Sequence, residues 1–156
     1  MMKYLTIVIS FSALLMMASC NQSALYHQHV TLDEQGWPKN EAVHFNVTVP
    51  DTLTPYDYYL TIRHTNNYAY SNIYFFLETK FPNGNVTRDT IECILANDEG
   101  KWYGKGWGNI KEDNILLNKN MLFPVSGTYD FYFIQAMRTD TLKDIVSLGI
   151  KIVKSE

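Results

Sequence analysis

Apolar residues in this chain recur at every second position, in short runs separated by turn residues, and that period constrains the fold more than any other feature. Val43, Phe45, Val47 and Val49 alternate with His44, Asn46 and Thr48 before Pro50 ends the run. Successive side chains of a strand point to opposite faces, so such a run has one face to bury and one to wet. Tyr58, Leu60 and Ile62 alternate in the same way with Tyr59, Thr61 and Arg63, and Ile73, Phe75 and Leu77 with Tyr74, Phe76 and Glu78. Pro82-Asn83-Gly84-Asn85 is a hairpin signal, because Asn-Gly accepts the positive φ that tight turns need. A strand is then expected from Val86 to about Leu95. Others are expected from Thr128 to Met137 and from Ile145 to Val153, where Val146, Leu148, Ile150 and Ile152 form the apolar row. The stretch from Lys101 to Gly108 sets glycines beside Trp102, Tyr103 and Trp107, which predicts an edge strand or bulged ribbon. Ile115-Leu116-Leu117 fits a short helical turn or a strand equally well. Many short strands at near-regular spacing, with no strong amphipathic helix, predict an all-β chain, an antiparallel β-sandwich of immunoglobulin-like or jelly-roll type.

The first residues follow another rule. Lys3 precedes an apolar run from Tyr4 to Met17, broken only by Thr6, Ser10 and Ser12. The run is shorter than the roughly 20 residues a membrane-spanning helix needs, and it ends in the small residues Ala18 and Ser19, as a secretory signal does. Cys20 follows directly. Met17-Ala18-Ser19-Cys20 resembles the lipobox Leu-(Ala/Ser)-(Gly/Ala)-Cys, with Met17 and Ser19 as departures. The expected organisation is a lipoprotein signal peptide over 1–19, a lipidated tether over 20–24 and a single domain over 25–156. A lipoprotein cysteine carries more than one acyl chain, so attachment to the membrane should last.

Lipidation of Cys20 leaves Cys93 as the one other cysteine, so no intrachain disulfide is expected. Cys93 sits in an apolar run without a neighbouring base and reads as a small buried hydrophobe. The core must supply the stability, and a chain that is 46% hydrophobic and 14% aromatic has the material. A formal net charge of −3 with scattered Lys and Arg argues against a nucleic-acid partner. No polybasic patch for lipid headgroups is present either, which leaves the anchor as the membrane connection.

Catalytic signatures are missing from the sequence. His27-Gln28-His29 puts two imidazoles on one face of an extended segment, but without a cysteine or carboxylate in register the expectation is no metal site. Asp98-Glu99 and Glu112-Asp113 read as solvated turn and loop residues, not as a glycosidase pair. No nucleophile elbow, phosphate loop or nucleotide fingerprint occurs. No cofactor and no enzymatic activity are expected. Trp102, Tyr103 and Trp107, with Tyr68 and Tyr70, form a candidate binding surface for a partner protein or a glycan, set against the alternative that they cap the ends of the sandwich. Asp51-Thr52-Leu53, Asp89-Thr90-Ile91 and Asp140-Thr141-Leu142 look like the Asp-(Ser/Thr)-aliphatic acceptor for O-glycans on exported proteins of the Bacteroidetes, which makes Thr52, Thr90 and Thr141 candidate sites. Asp-Thr is equally good turn chemistry.

Three stretches carry a family resemblance: Arg63 to Phe76, Gly100-Lys101-Trp102-Tyr103-Gly104-Lys105-Gly106, and Gly127-Thr128-Tyr129 through Gln135-Ala136-Met137-Arg138. Together they resemble the gliding motility lipoprotein GldH family of the Bacteroidetes over nearly the whole mature chain. The resemblance implies an outer-membrane-associated lipoprotein working with other envelope lipoproteins in gliding and type IX secretion. It implies no catalytic residue. The uncharged Asn21-Gln22-Ser23-Ala24, without the acidic tract of surface-exported lipoproteins in this phylum, favours the periplasmic leaflet. A glycan-binding module of the envelope is the alternative.

Overall fold

The computed structural model describes residues 24–156, so Cys20, the signal segment and most of the tether lie outside the described residues. Among the described residues ten strands follow one another: β1 (Ala24–Thr31), β2 (Trp37–Pro38), β3 (Ala42–Val49), β4 (Tyr56–Thr65), β5 (Asn72–Lys80), β6 (Val86–Ile94), β7 (Ile110–Met121), β8 (Gly127–Gln135), β9 (Thr141–Leu142) and β10 (Ile145–Lys154). Ala24, the last tether residue by sequence, opens β1. The segment that left helix and strand undecided is β7, a strand in which Leu116 faces outward while Ile115 and Leu117 pack on the core.

Pairing follows one pattern. The hairpin at Asn83-Gly84 joins β5 to β6, and around it β4 pairs with β7, β3 with β8 and β1 with β10, all antiparallel. Each strand thus pairs with its counterpart across the hairpin tip, as if one long ribbon had been rolled up. Two further pairings, β5 with β8 and β4 with β10, close the roll. The result is two four-stranded sheets, β1-β10-β4-β7 and β3-β8-β5-β6, which is jelly-roll order. Of the two sandwich types open from sequence, topology selects this one.

The inner faces interdigitate as the alternation requires, with Phe45, Leu60, Ile62, Phe75, Phe133 and Ile150 each no more than 2% exposed. β10 keeps the expected phase at Leu148, Ile150 and Ile152 and departs from it at Val146. A register shift between Ile145 and Ser147 buries Ile145 and leaves Val146 half-buried, and on the outer face Gly149 is buried beneath the His29 ring. β2 and β9 form a small lid in which Trp37 packs on Phe75 with ring centroids 5.8 Å apart and donates Nε1–H to the Glu41 carbonyl at 2.8 Å. Tyr129 turns its hydroxyl back to the Val125 carbonyl at 2.7 Å, pinning the turn into β8 as the tyrosine corner of Greek-key sandwiches does. On one flank β1 lies against β3. On the other, the free edges of β6 and β7 leave an apolar cavity of about 440 Å³ between the sheets.

Candidate functional site

The glycine-tryptophan segment forms neither a regular strand nor a full ribbon. It crosses one end of the roll as a strap, held by two isolated bridges, Ala96 with Trp102 and Lys105 with Glu112. Tyr103 N–H bonds to the Leu95 carbonyl at 2.9 Å, and Lys105 and Glu112 exchange backbone hydrogen bonds at 2.9 and 2.8 Å. Close approach explains the glycines. A Cβ on Gly104 would fall on the Asp113 carboxylate, and one on Gly106 on the Ile110 carbonyl.

Beneath the strap lies a buried polar pair. Asp113, read from sequence as a solvated loop residue, is 5% exposed and points inward from β7, in phase with Ile115 and Leu117. Its partner is His64 of β4, whose Nε2 lies 3.2 Å from Asp113 Oδ2 and whose Nδ1 lies 2.9 Å from the Thr65 carbonyl. A carbonyl only accepts, so Nδ1 donates to Thr65 and Nε2 is the ring nitrogen that faces the carboxylate. Trp102 covers the imidazole with ring centroids 4.5 Å apart, and Tyr68 flanks it at 5.7 Å. Burial raises the Tyr68 phenol above its ordinary value, and its hydroxyl donates to the Asn72 carbonyl at 3.0 Å. The sequence signal for Asp113 was present but masked, since its place in the alternation shows only once 110–121 is known to be one strand.

The five candidate aromatics therefore divide. Tyr68 is buried and Trp102 half-buried, so both serve as foundation. Trp107 is 100% exposed, Tyr103 61% and Tyr70 42%. Two shallow hollows flank the strap at Lys105. One, of about 430 Å³, is lined by Arg63, Lys105, Gly106, Trp107, Ile110 and Glu112, and the other, of about 480 Å³, includes Tyr103, Ile94 and Asn114. Arg63 donates Nε–H to Glu112 at 2.6 Å, which holds that carboxyl below its usual range. Glu112 is thus spent on an ion pair and is not a free acid.

The other candidates lie elsewhere. His27 and His29 sit on the outer face of the edge strand β1, with their Nε2 atoms 3.3 Å apart. The His29 ring lies over Gly149, where a Cβ would collide with it, and desolvation followed by the charge of Arg63 lowers its proton affinity. Among the described residues no group of three or more metal-ligating side chains converges. Cys93 is 1% exposed, and burial pushes its thiol up to about 12. Thr52, Thr90 and Thr141 are all exposed.

The family model for the GldH lipoprotein matches residues 24–152, the whole rolled domain up to its last strand. The chain belongs to the GldH lipoprotein family. It is 32% identical over 158 residues to the "Gliding motility lipoprotein GldH homolog" of Christiangramia forsetii, covering 97% of this chain and 96% of that one. It is 25% identical over 151 residues to the "Gliding motility lipoprotein GldH" of Flavobacterium johnsoniae, covering 92% and 93%. Membership in this lipoprotein family places the chain in the cell envelope on a lipid anchor. Among solved structures, a family 35 carbohydrate binding module from Clostridium thermocellum matches with a TM-score of 0.36 and 12% identity, covering 80% of this chain and 89% of that one. Latent PorU from Porphyromonas gingivalis matches with a TM-score of 0.35 and 11% identity, over 88% of this chain and 14% of that one. Likeness at that level carries no functional argument.

Proposed function

We propose that this GldH-family protein is a non-enzymatic component of the gliding motility and type IX secretion machinery, lipidated at Cys20, held at the periplasmic leaflet of the outer membrane, and docking other envelope lipoproteins through its strap. The observation that carries this reading is the pairing of a fully exposed Trp107 and a largely exposed Tyr103 with the buried support beneath them. Exposed aromatic side chains are where protein interfaces concentrate their binding energy. The strap also lies at the end of the roll away from Ala24, because Ala24 pairs with Val153 whereas Thr65, beside the strap, pairs with Ile110 at the far end of the same sheet. A docking face so placed points away from the anchor.

The test is crosslinking in the native envelope through a photoreactive residue in place of Tyr103, followed by purification and identification of what is joined. Capture of gliding or secretion lipoproteins that is lost in Trp107→Ala is the expected result. Capture unchanged by Trp107→Ala overturns the reading.

The hollow beside Trp107 favours a second reading, an envelope glycan-binding module, since an indole wall next to Arg63, Lys105 and Glu112 offers a stacking plane and hydrogen-bonding groups together. A polysaccharide array discriminates the two. Binding abolished by Trp107→Ala supports the glycan, and an empty array removes it. The exposed Thr52, Thr90 and Thr141 are the places where an O-glycan mass would be sought on protein from the native host.

A further inference from the structure

The register also defines the other end of the roll. Tyr56 pairs with both Lys154 and Met121, and Ala24 with Val153, so these residues share one end of the first sheet. Val49 pairs with Gly127, and Lys80 with both Val86 and Asp130, at one end of the second. The links 50–55 and 122–126 run between those two ends, and the hairpin 81–85 sits between them, with Pro82 against Gly127. Three loops therefore gather where the chain leaves toward Cys20.

These loops and the first residue of β6 present aliphatic side chains. Leu53 is 85% exposed, and Leu122 and Val86 are each 55% exposed. Leu53 is not on a frayed tip. The Asp51 carboxylate accepts the backbone N–H groups of Leu53 at 2.9 Å and Thr54 at 2.7 Å and so builds the turn that holds it out. Leu122 also lines the apolar cavity between β6 and β7, together with Phe81, Met121 and Phe123, so apolar surface continues inward from this end. Lys80, Lys119 and Lys154 stand exposed around it.

Chain length identifies what covers this end. Cys20 and Ala24 are four residue steps apart, and a fully extended chain spans at most about 3.6 Å per residue, or about 14 Å in all. A lipid on Cys20 keeps the bilayer surface within that reach of Ala24, and hence beside Leu53 and Leu122. Apolar residues in such a position bury themselves in the acyl boundary, while lysines extend to the headgroup phosphates.

We propose that the tether end is a membrane-seating face: Leu53 and Leu122 enter the apolar layer of the bilayer that holds the Cys20 lipid, and the roll stands on the membrane with its strap outward. The inference rests on lipidation of Cys20. The test uses the full lipidated chain in vesicles of phosphatidylethanolamine and phosphatidylglycerol, with a nitroxide on Leu53→Cys, Leu122→Cys or, as the outward reference, Tyr103→Cys. Cys93, at 1% exposed, is shielded from the label, and Leu53 accepts it without touching the core. The expected result is that labels at 53 and 122 lose relaxation by a water-soluble nickel chelate and gain relaxation by oxygen, while the label at 103 keeps the nickel effect. Equal nickel accessibility at all three positions on vesicle-bound protein overturns the seating alone. A chain that fails to float with vesicles overturns the lipidation reading, and the seating falls with it.

Discussion

The imidazole of His64 and the carboxylate of Asp113 meet at 3.2 Å with side-chain exposures of 0% and 5%, under a lid of Trp102. Residues from two strands and the strap thus converge on one buried polar contact. The pair fixes the height of the strap over β7, because Gly104 passes directly across the carboxylate. The exposed Tyr103, between Trp102 and Gly104, inherits its position from it.

Removing one member of a buried pair leaves the other unpaired and costs about 3–5 kcal/mol, whereas an apolar replacement of both is far milder. His64→Ala and Asp113→Ala are each expected to lose stability on that scale in urea unfolding, and His64→Leu with Asp113→Leu to lose less than either. A double variant whose loss equals the sum of the single losses would show that the two residues act independently.

Cys93 is expected to be inert. A buried thiol pushed up to about 12 holds almost no thiolate near neutral pH. Native protein should not react with an aromatic disulfide reagent at pH 8, and protein in denaturing urea should react at once. Rapid labelling of the native fold would contradict the burial described for it.

His29 should impose a pH dependence. Its proton affinity in the fold is lowered by desolvation and then by Arg63 and His27, with Glu112 opposing. Below the ordinary histidine value of about 6.5 the unfolded chain therefore takes up the proton more readily than the folded one, so its contribution is present above that pH and is lost as pH falls toward the folded value. Urea midpoints are expected to drop between about pH 7.5 and about pH 5.5, a window above the carboxylate range. His29→Asn should flatten the drop, and an unchanged slope would assign it to another group.

Among the described residues the buried Tyr58 hydroxyl has no hydrogen-bond partner, and burial raises its phenol above the ordinary value. Tyr58→Phe removes a desolvated donor while keeping the ring packed on Phe131. The variant should be neutral or more stable by up to about 1 kcal/mol in thermal or urea unfolding. A clear loss would show that the hydroxyl is paired after all.

Much of this molecule was legible in the alternation, because burial of one strand face is a local property written every second residue. β3, β4 and β5 fell where Val43, Tyr58 and Ile73 began their rows, and Asn83-Gly84 marked the hairpin about which everything else rolls. β7 was obscured because its inward row includes Asp113, a charged residue in a core phase, and its outward row includes Leu116. Val146 misled because a bulge shifts the phase of β10 by one residue, and a bulge is set by the partner strand as much as by its own sequence.

The sequence by itself determined the strand-rich class, the family and the residues that carry apolar or aromatic surface. Only the tertiary structure decided their roles. Tyr68 and Trp102 became foundation and Trp107 became surface because the roll brings positions 64, 68, 102 and 113 together from four separate segments. Leu53, Val86 and Leu122 likewise share the tether end only through long-range register. Periodicity specifies which way a side chain faces, but not which distant strand it will face. That choice is made by closing the whole roll at once, where every pairing after the first hairpin depends on the one before it.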